Sequence, residues 1–120
     1  MDHQFVRTEL ILGSEAMQVL KESRVAVFGL GGVGGMATEA LARSGIGKML
    51  LVDFDVISIT NLNRQIIALH STIGKPKVQV MKERILDIHP EAQIETRQEK
   101  YTPETSTSFF ADPIDYVVDA

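Results

Sequence analysis

The sequence predicts an α/β fold, a mostly parallel sheet with helices on both faces, and three observations carry that reading. Apolar stretches of strand length (residues 24–29, 48–53, 92–97 and 115–119) alternate with stretches of helical spacing. The second and fourth, Lys48-Met-Leu-Leu-Val-Asp53 and Asp115-Tyr-Val-Val-Asp119, are continuously apolar and end in an acid, as strands buried on both faces of a parallel sheet do. The first runs through Val25-Ala-Val-Phe-Gly-Leu-Gly-Gly-Val-Gly-Gly35 directly into helix-forming residues. That is a buried strand feeding a glycine-rich turn at a helix N-terminus, the hallmark of a Rossmann-like unit.

Taken in order, Phe5–Gly13 and Ser14–Lys21 read as two short helical pieces divided by Gly13, with Ser14 as N-cap of the second. Gly29, Gly31 and Gly34 stand at the spacing G-x-G-x-x-G, with Gly32 inside the turn. The first glycine permits the tight turn, the second lets a phosphate approach the backbone, and the third lets helix and strand pack closely. Free amide N–H groups and the helix dipole favour an anion there, which names a mononucleotide or dinucleotide as ligand. The following helix is expected over 32–44, with Val33, Met36, Ala37, Ala40 and Leu41 on its buried face and Gly45 ending it.

Asp53 lies 19 residues after Gly34, near the offset of about 20 expected of an acid that binds a ribose. Without the glycine loop, a turn cap at the strand end would be the better reading; Asp55 is a second candidate that solvation alone would also explain. Ser58-Ile-Thr-Asn-Leu-Asn-Arg-Gln65 then concentrates amides and a guanidinium beyond the strand, and Arg64 offers a planar fork of donors suited to phosphate oxygens. A helix starting at Pro76, as an N1 proline, should bury Val78, Met81, Ile85 and Ile88. Lys77 falls in its first turn, where the helix dipole disfavours a cation unless an anion is close. Strand three is expected over Ala92–Arg97, a short helix from Thr102-Pro103 to Phe109-Phe110, and strand four over Asp115–Asp119.

Composition narrows the function. In 120 residues, 44% hydrophobic and 23% charged, the chain can bury a modest core. Its apolar runs are far below the roughly 20 residues needed to cross a bilayer, and Met1–Phe5 has no basic-plus-apolar signal region, so a cytoplasmic location without membrane partners is the expectation. With no cysteine there is neither a thiolate zinc site nor a cysteine nucleophile in the segment. A net charge of −4 gives no electrostatic footprint for nucleic acid. His3, His70 and His89 are scattered and are expected in surface or loop positions.

Five motifs in order, Gly29-Leu-Gly-Gly-Val-Gly34, Val52-Asp-Phe-Asp55, Asn61-Leu-Asn-Arg-Gln65, Gly74-Lys-Pro-Lys77 and Val118-Asp119, resemble the adenylating superfamily of ubiquitin-activating enzymes and activators of small sulfur-carrier proteins. Within it, Arg7-Thr-Glu-Leu-Ile-Leu-Gly13, Ala40–Gly47, Asn63–Leu69 and Val80–Glu91 look most like the tRNA threonylcarbamoyladenosine dehydratases, which use ATP to cyclise the threonylcarbamoyl group on the adenosine beside the anticodon. The resemblance implies that Gly29, Gly31, Gly32 and Gly34 hold ATP and Asp53, with Asp55 nearby, its ribose. It implies Asn61, Arg64 and Lys77 on the phosphates, Asp119 on a magnesium ion, and Arg7 reaching into the partner subunit's site across a homodimer. The catalytic set is then Arg64, Lys77 and Asp119, and tRNA is the substrate.

Those enzymes are longer than this chain, so residues 1–120 are read as the N-terminal part of one ATP-binding adenylating domain, ending after the fourth strand, with turnover not expected of the isolated piece. Three alternatives stand beside this. An activator of a ubiquitin-like sulfur-carrier protein would use the same site on a C-terminal carboxylate. A nicotinamide-dependent dehydrogenase is permitted by the glycine loop, but leaves Asn61, Arg64 and Lys77 without work. A nucleotide-binding module without turnover is the non-enzymatic reading.

Overall fold

The computed structural model describes residues 3–120. Four parallel strands, β1 (Arg24–Phe28), β2 (Lys48–Val52), β3 (Gln93–Arg97) and β4 (Tyr116–Asp119), form one sheet in the order β3-β2-β1-β4. Register aligns Phe28 of β1 with both Val52 of β2 and Asp119 of β4. The strand carrying the glycine turn therefore sits between the two that end in acids.

The two faces of the sheet are covered unequally. Val25 and Val27 of β1 with Met49 and Leu51 of β2 meet Leu30, Ala42, Val78, Met81 and Ile85, so α3 (Gly32–Ser44) and α4 (Lys77–Ile88) share the larger core. On the other face Ala26, Leu50 and Val52 pack on Phe109 of the single-turn α5 (Ser106–Phe109). Alternation of Val25, Ala26 and Val27 between two cores is what period-2 side chains do in a doubly covered strand. At the amino end, α1 (Val6–Leu12) packs on α2 (Ser14–Glu22), and Leu20 of α2 reaches the larger core. Among the described residues no helix is long and apolar enough to cross a membrane.

Several expected details change. Ser14 is already helical; Gly13, at φ 89°, is the cap position, because its left-handed backbone makes the sharp break between α1 and α2. The buried face of α3 is Gly34, Gly35, Thr38 and Ala42, while Val33 and Met36 are 76% and 61% exposed and Ala40 is exposed. Small residues let the helix axis come close to the strands, and the larger apolar residues are thereby turned outward. Gly45 does end α3 as expected, in the left-handed region, with Ile46 N–H returning to Leu41 C=O.

Pro76 caps α4 instead of opening it; the expected stripe is buried at Val78, Met81 and Ile85, joined by Val80. The last short helix starts at Ser106, because Thr102 and Thr105 bond each other through side chain and backbone and hold residues 102–105 as a turn. His89 is buried against the edge of Phe5, centroids 4.9 Å apart, whereas His3 and His70 lie at the surface.

Candidate functional site

The glycine turn between β1 and α3 is built by two approaches that exclude a side chain. Gly29 has φ 96°, and a Cβ on it would lie 2.4 Å from the carbonyl oxygen of Ala120. On Gly34 a Cβ would lie 1.8 Å from the carbonyl oxygen of Gly29. The turn thus folds back on itself between β4 and the first turn of α3, as the G-x-G-x-x-G spacing predicts. Gly31 is the N-cap of α3, and Gly35 N–H to Gly31 C=O is the first helical bond. The N–H groups of Gly31, Gly32, Val33 and Gly34 have no hydrogen-bond partner among the described residues. Unpaired first-turn donors are common to helix N-termini; here the glycines leave room for an anion to approach them.

Around this turn the remaining candidates gather. Asp53 directly follows β2; its Oδ2 accepts the N–H of Leu30 at 2.8 Å and its Oδ1 that of Asp55 at 2.8 Å. The turn-cap role weighed from sequence is therefore present. Each carboxylate oxygen has a second lone pair, so the same group can still accept a ribose hydroxyl. Asp55 is exposed and contributes its backbone, its C=O accepting Lys77 N–H at 3.1 Å. Segment 55–57 is further tied to 74–77 by a bridge between Val56 and Pro76 and by Ile57 N–H to Lys75 C=O. These ties bring Lys77 beside the acid loop.

Lys77 is 6% exposed and enters no ion pair or side-chain hydrogen bond among the described residues. Its Nζ is not among the fully buried unpaired atoms, so the stem is covered while the ammonium reaches the surface, free to meet an anion. Asn61 is also buried, and its Oδ1 accepts Ser58 N–H at 2.9 Å, so its carbonyl end holds the short helical turn that carries Arg64. Arg64 is exposed, donates among the described residues only to neutral groups, Thr60 C=O and Asn63 Oδ1, and lies with its Cγ 3.9 Å from where a Cβ on Gly32 would be. Asp119, at the end of β4, is exposed and bonds no side chain among the described residues.

Arg7 alone stands apart. Phe5, two residues before it, packs against Gly45 at the far end of α3, and 13 helical residues span about 20 Å. A concavity of about 640 Å³ bounded by Phe5, Met17, Gly45 and His89 lies at that far end and contributes nothing to the turn.

Sequence reading passed over some residues at the carboxyl edge of the sheet. Phe28 makes edge contacts with Tyr101 and Phe109, centroids 5.0 and 5.6 Å apart. Lys100 Nζ stands 5.5 Å from the centre of the Phe54 ring. The signal available was the adjacency of Phe54 to Asp53. No group of three or more His, Cys, Asp or Glu forms a metal cage among the described residues.

The ThiF family model matches residues 3–120. The tRNA threonylcarbamoyladenosine dehydratase of Bacillus subtilis is 56% identical over 120 residues, covering all of this chain and 47% of the relative. The molybdopterin-synthase adenylyltransferase of Salmonella typhimurium is 38% identical over 97 residues, 81% of this chain and 39% of the relative. Among solved structures, the E. coli tRNA N6-threonylcarbamoyladenosine dehydratase in complex with ATP superposes with a TM-score of 0.95 at 40% identity, covering 98% of this chain and 48% of that one. The same enzyme has been seen with AMP. The chain spans about half the length of the dehydratases of B. subtilis and E. coli that it matches.

Proposed function

The chain belongs to the ThiF family, and on that premise we propose that it is the nucleotide-binding part of an ATP-dependent tRNA threonylcarbamoyladenosine dehydratase, which activates a carboxylate by adenylation. The observation that supports this most directly is an excess of donors without acceptors: four free N–H groups on the glycine turn and a buried Lys77 with no carboxylate beside it. A polyphosphate matches that excess in charge, and a hydride carrier would leave Lys77 and Arg64 unused.

In this reading Asp53 takes the ribose, which places the adjoining α-phosphate on the turn at Leu30–Gly31, and the β- and γ-phosphates extend toward Arg64, Lys77 and Asn61. Phe54 and Lys100 stand where an adenine ring would follow the ribose. The carboxylate oxygen of the substrate attacks the α-phosphorus, the bond to the bridging oxygen breaks, and pyrophosphate leaves. The carboxylate is already ionised and pyrophosphate is a good leaving group, so the site needs no general base or acid, only positioning and positive charge. The carbamoyl group then attacks the activated carbonyl, releasing its N–H proton to solvent as the ring bond forms, and AMP departs with the former carboxylate oxygen; that oxygen and the released proton account for the water formally lost. Asp119 fits a magnesium site, because one carboxylate plus substrate phosphates is how this cation is usually held. Bound there, the ion would neutralise phosphate charge. Arg7, remote from its own turn, is read as serving the partner subunit's site in a homodimer.

The relative with 38% identity keeps a second substrate open, the C-terminal carboxylate of a ubiquitin-like sulfur-carrier protein. ATP–pyrophosphate exchange separates the two: a protein carrying this chain at the length of its relatives should exchange with tRNA bearing threonylcarbamoyladenosine and not with a carrier protein. Exchange with the carrier alone transfers the site to that substrate, and ATP binding without exchange on either leaves a binding module.

A further inference from the structure

Gln65 follows Arg64 and closes the same turn, its N–H bonded to Asn61 C=O at 2.9 Å. It is 6% exposed, yet its Oε1 is buried without any hydrogen-bond partner. Its Nε2 has no acceptor among the described residues and stands 3.7 Å from where a Cβ on Gly31 would be. A glutamine kept for folding would have its carbonyl end bonded, since an orphaned buried acceptor destabilises the protein that carries it. The carbonyl end of this amide is buried and idle among the described residues, while its Nε2 end, not fully buried, is open beside the glycine turn.

We infer that Gln65 is a further nucleotide-contacting residue of the adenylation site, its side-chain amide donating to the α-phosphate seated at Gly31. The inference rests on the adenylation reading and adds to it a neutral donor on the phosphorus that is attacked, distinct from the cations that face the leaving pyrophosphate. As the geometry of attack changes the charge on the α-phosphate oxygens, a fixed amide beside them stabilises that charge without adding a proton to the site.

Two variants test it in a protein carrying this chain at the length of its relatives. Gln65→Met keeps length and removes the idle amide. Its melting temperature should equal or exceed that of the parent, while affinity for ATP and for AMP both fall by about tenfold or more, the worth of a hydrogen bond to a charged group. Equal loss on ATP and AMP marks the α-phosphate. Gln65→Glu keeps the shape but sets a carboxylate against the phosphate, and should lose at least as much affinity and pyrophosphate exchange. Affinities within twofold of the parent for Gln65→Met overturn the inference, as does normal nucleotide binding by Gln65→Glu, which would show that shape alone matters. A parent protein that binds ATP but shows no exchange defeats the adenylation reading instead, and one that does not bind ATP defeats both.

Discussion

Lys77 and Asp53 carry opposite lessons about single residues in this site. Lys77 has a covered stem and enters no ion pair among the described residues, so Lys77→Met, which keeps that stem, should leave the stability of the nucleotide-free protein unchanged while weakening ATP binding by at least tenfold, a combination that denaturant titration and calorimetry read independently. Loss of stability without loss of affinity would make the lysine structural. Asp53 already works in the free protein, bonding Leu30 and Asp55 through its two oxygens. Asp53→Asn replaces one acceptor by a donor facing an N–H, and is expected to cost about 2 kcal/mol in urea unfolding in addition to weaker nucleotide binding. Arg64→Ala should weaken ATP more than AMP; equal effects would take Arg64 off the outer phosphates. The candidate residues could be nominated from sequence because their types and order are chemically specific, a fork of donors and a lysine downstream of an acid. The turn-cap duty of Asp53 was legible as well, whereas the idle amide of Gln65 was not, because it depends on which groups end up opposite the side chain.

At the scale of elements, α3 is the part whose boundaries follow from the sequence and whose orientation does not. Gly31 and Gly45 mark its ends as expected. Hydrophobic spacing, however, pointed Val33 and Met36 inward, and the structure packs Gly34, Gly35, Thr38 and Ala42 there. Glycine and alanine carry little hydrophobic signal, so a face selected for closeness to the sheet is invisible to a pattern of large side chains. The contrast is testable: Gly34→Ala drives a methyl into the Gly29 carbonyl and should destabilise the protein by about 3 kcal/mol or prevent folding, whereas Val33→Ser should fall within about 0.5 kcal/mol of the parent in thermal unfolding.

α3 is also tied to α4 by Arg84 bonding Glu39, which Arg43 also contacts at 3.3 Å. The Arg84 hydrogen bond holds the Glu39 carboxyl below its ordinary value. A carboxylate whose folded pKa is depressed stabilises the fold at pH above its unfolded value, and that contribution disappears as pH falls through the folded value. Stability should therefore drop on acidification below about pH 4.5, and Glu39→Gln should remove a part of that drop on the order of 0.5 kcal/mol. An unchanged acid limb in the variant would mean the pair contributes nothing.

For the molecule as a whole, the parallel sheet puts the glycine turn between two acid-ended strands, and the order β3-β2-β1-β4 follows from packing β1 against both neighbours. The parallel sheet and the glycine turn were readable from continuously apolar runs and the strand-turn-helix signature, but the strand order was not, and β4, expected to be buried on both faces, is an exposed edge because it pairs with β1 alone. What a sequence pattern does not convey is that the unpaired N–H groups of the glycine turn, the Gln65 amide beside Gly31 and a Lys77 tied by its backbone to the acid loop share the carboxyl end of the sheet, the arrangement on which the proposed polyphosphate site rests. The measurement closest to the centre of the account is ATP–pyrophosphate exchange by a protein carrying this chain at the length of its relatives, with unmodified tRNA and tRNA bearing threonylcarbamoyladenosine compared side by side. The account predicts exchange that depends on the threonylcarbamoyl carboxylate and is lost in Lys77→Met; exchange that is indifferent to the modification, or survives that substitution unchanged, would contradict it.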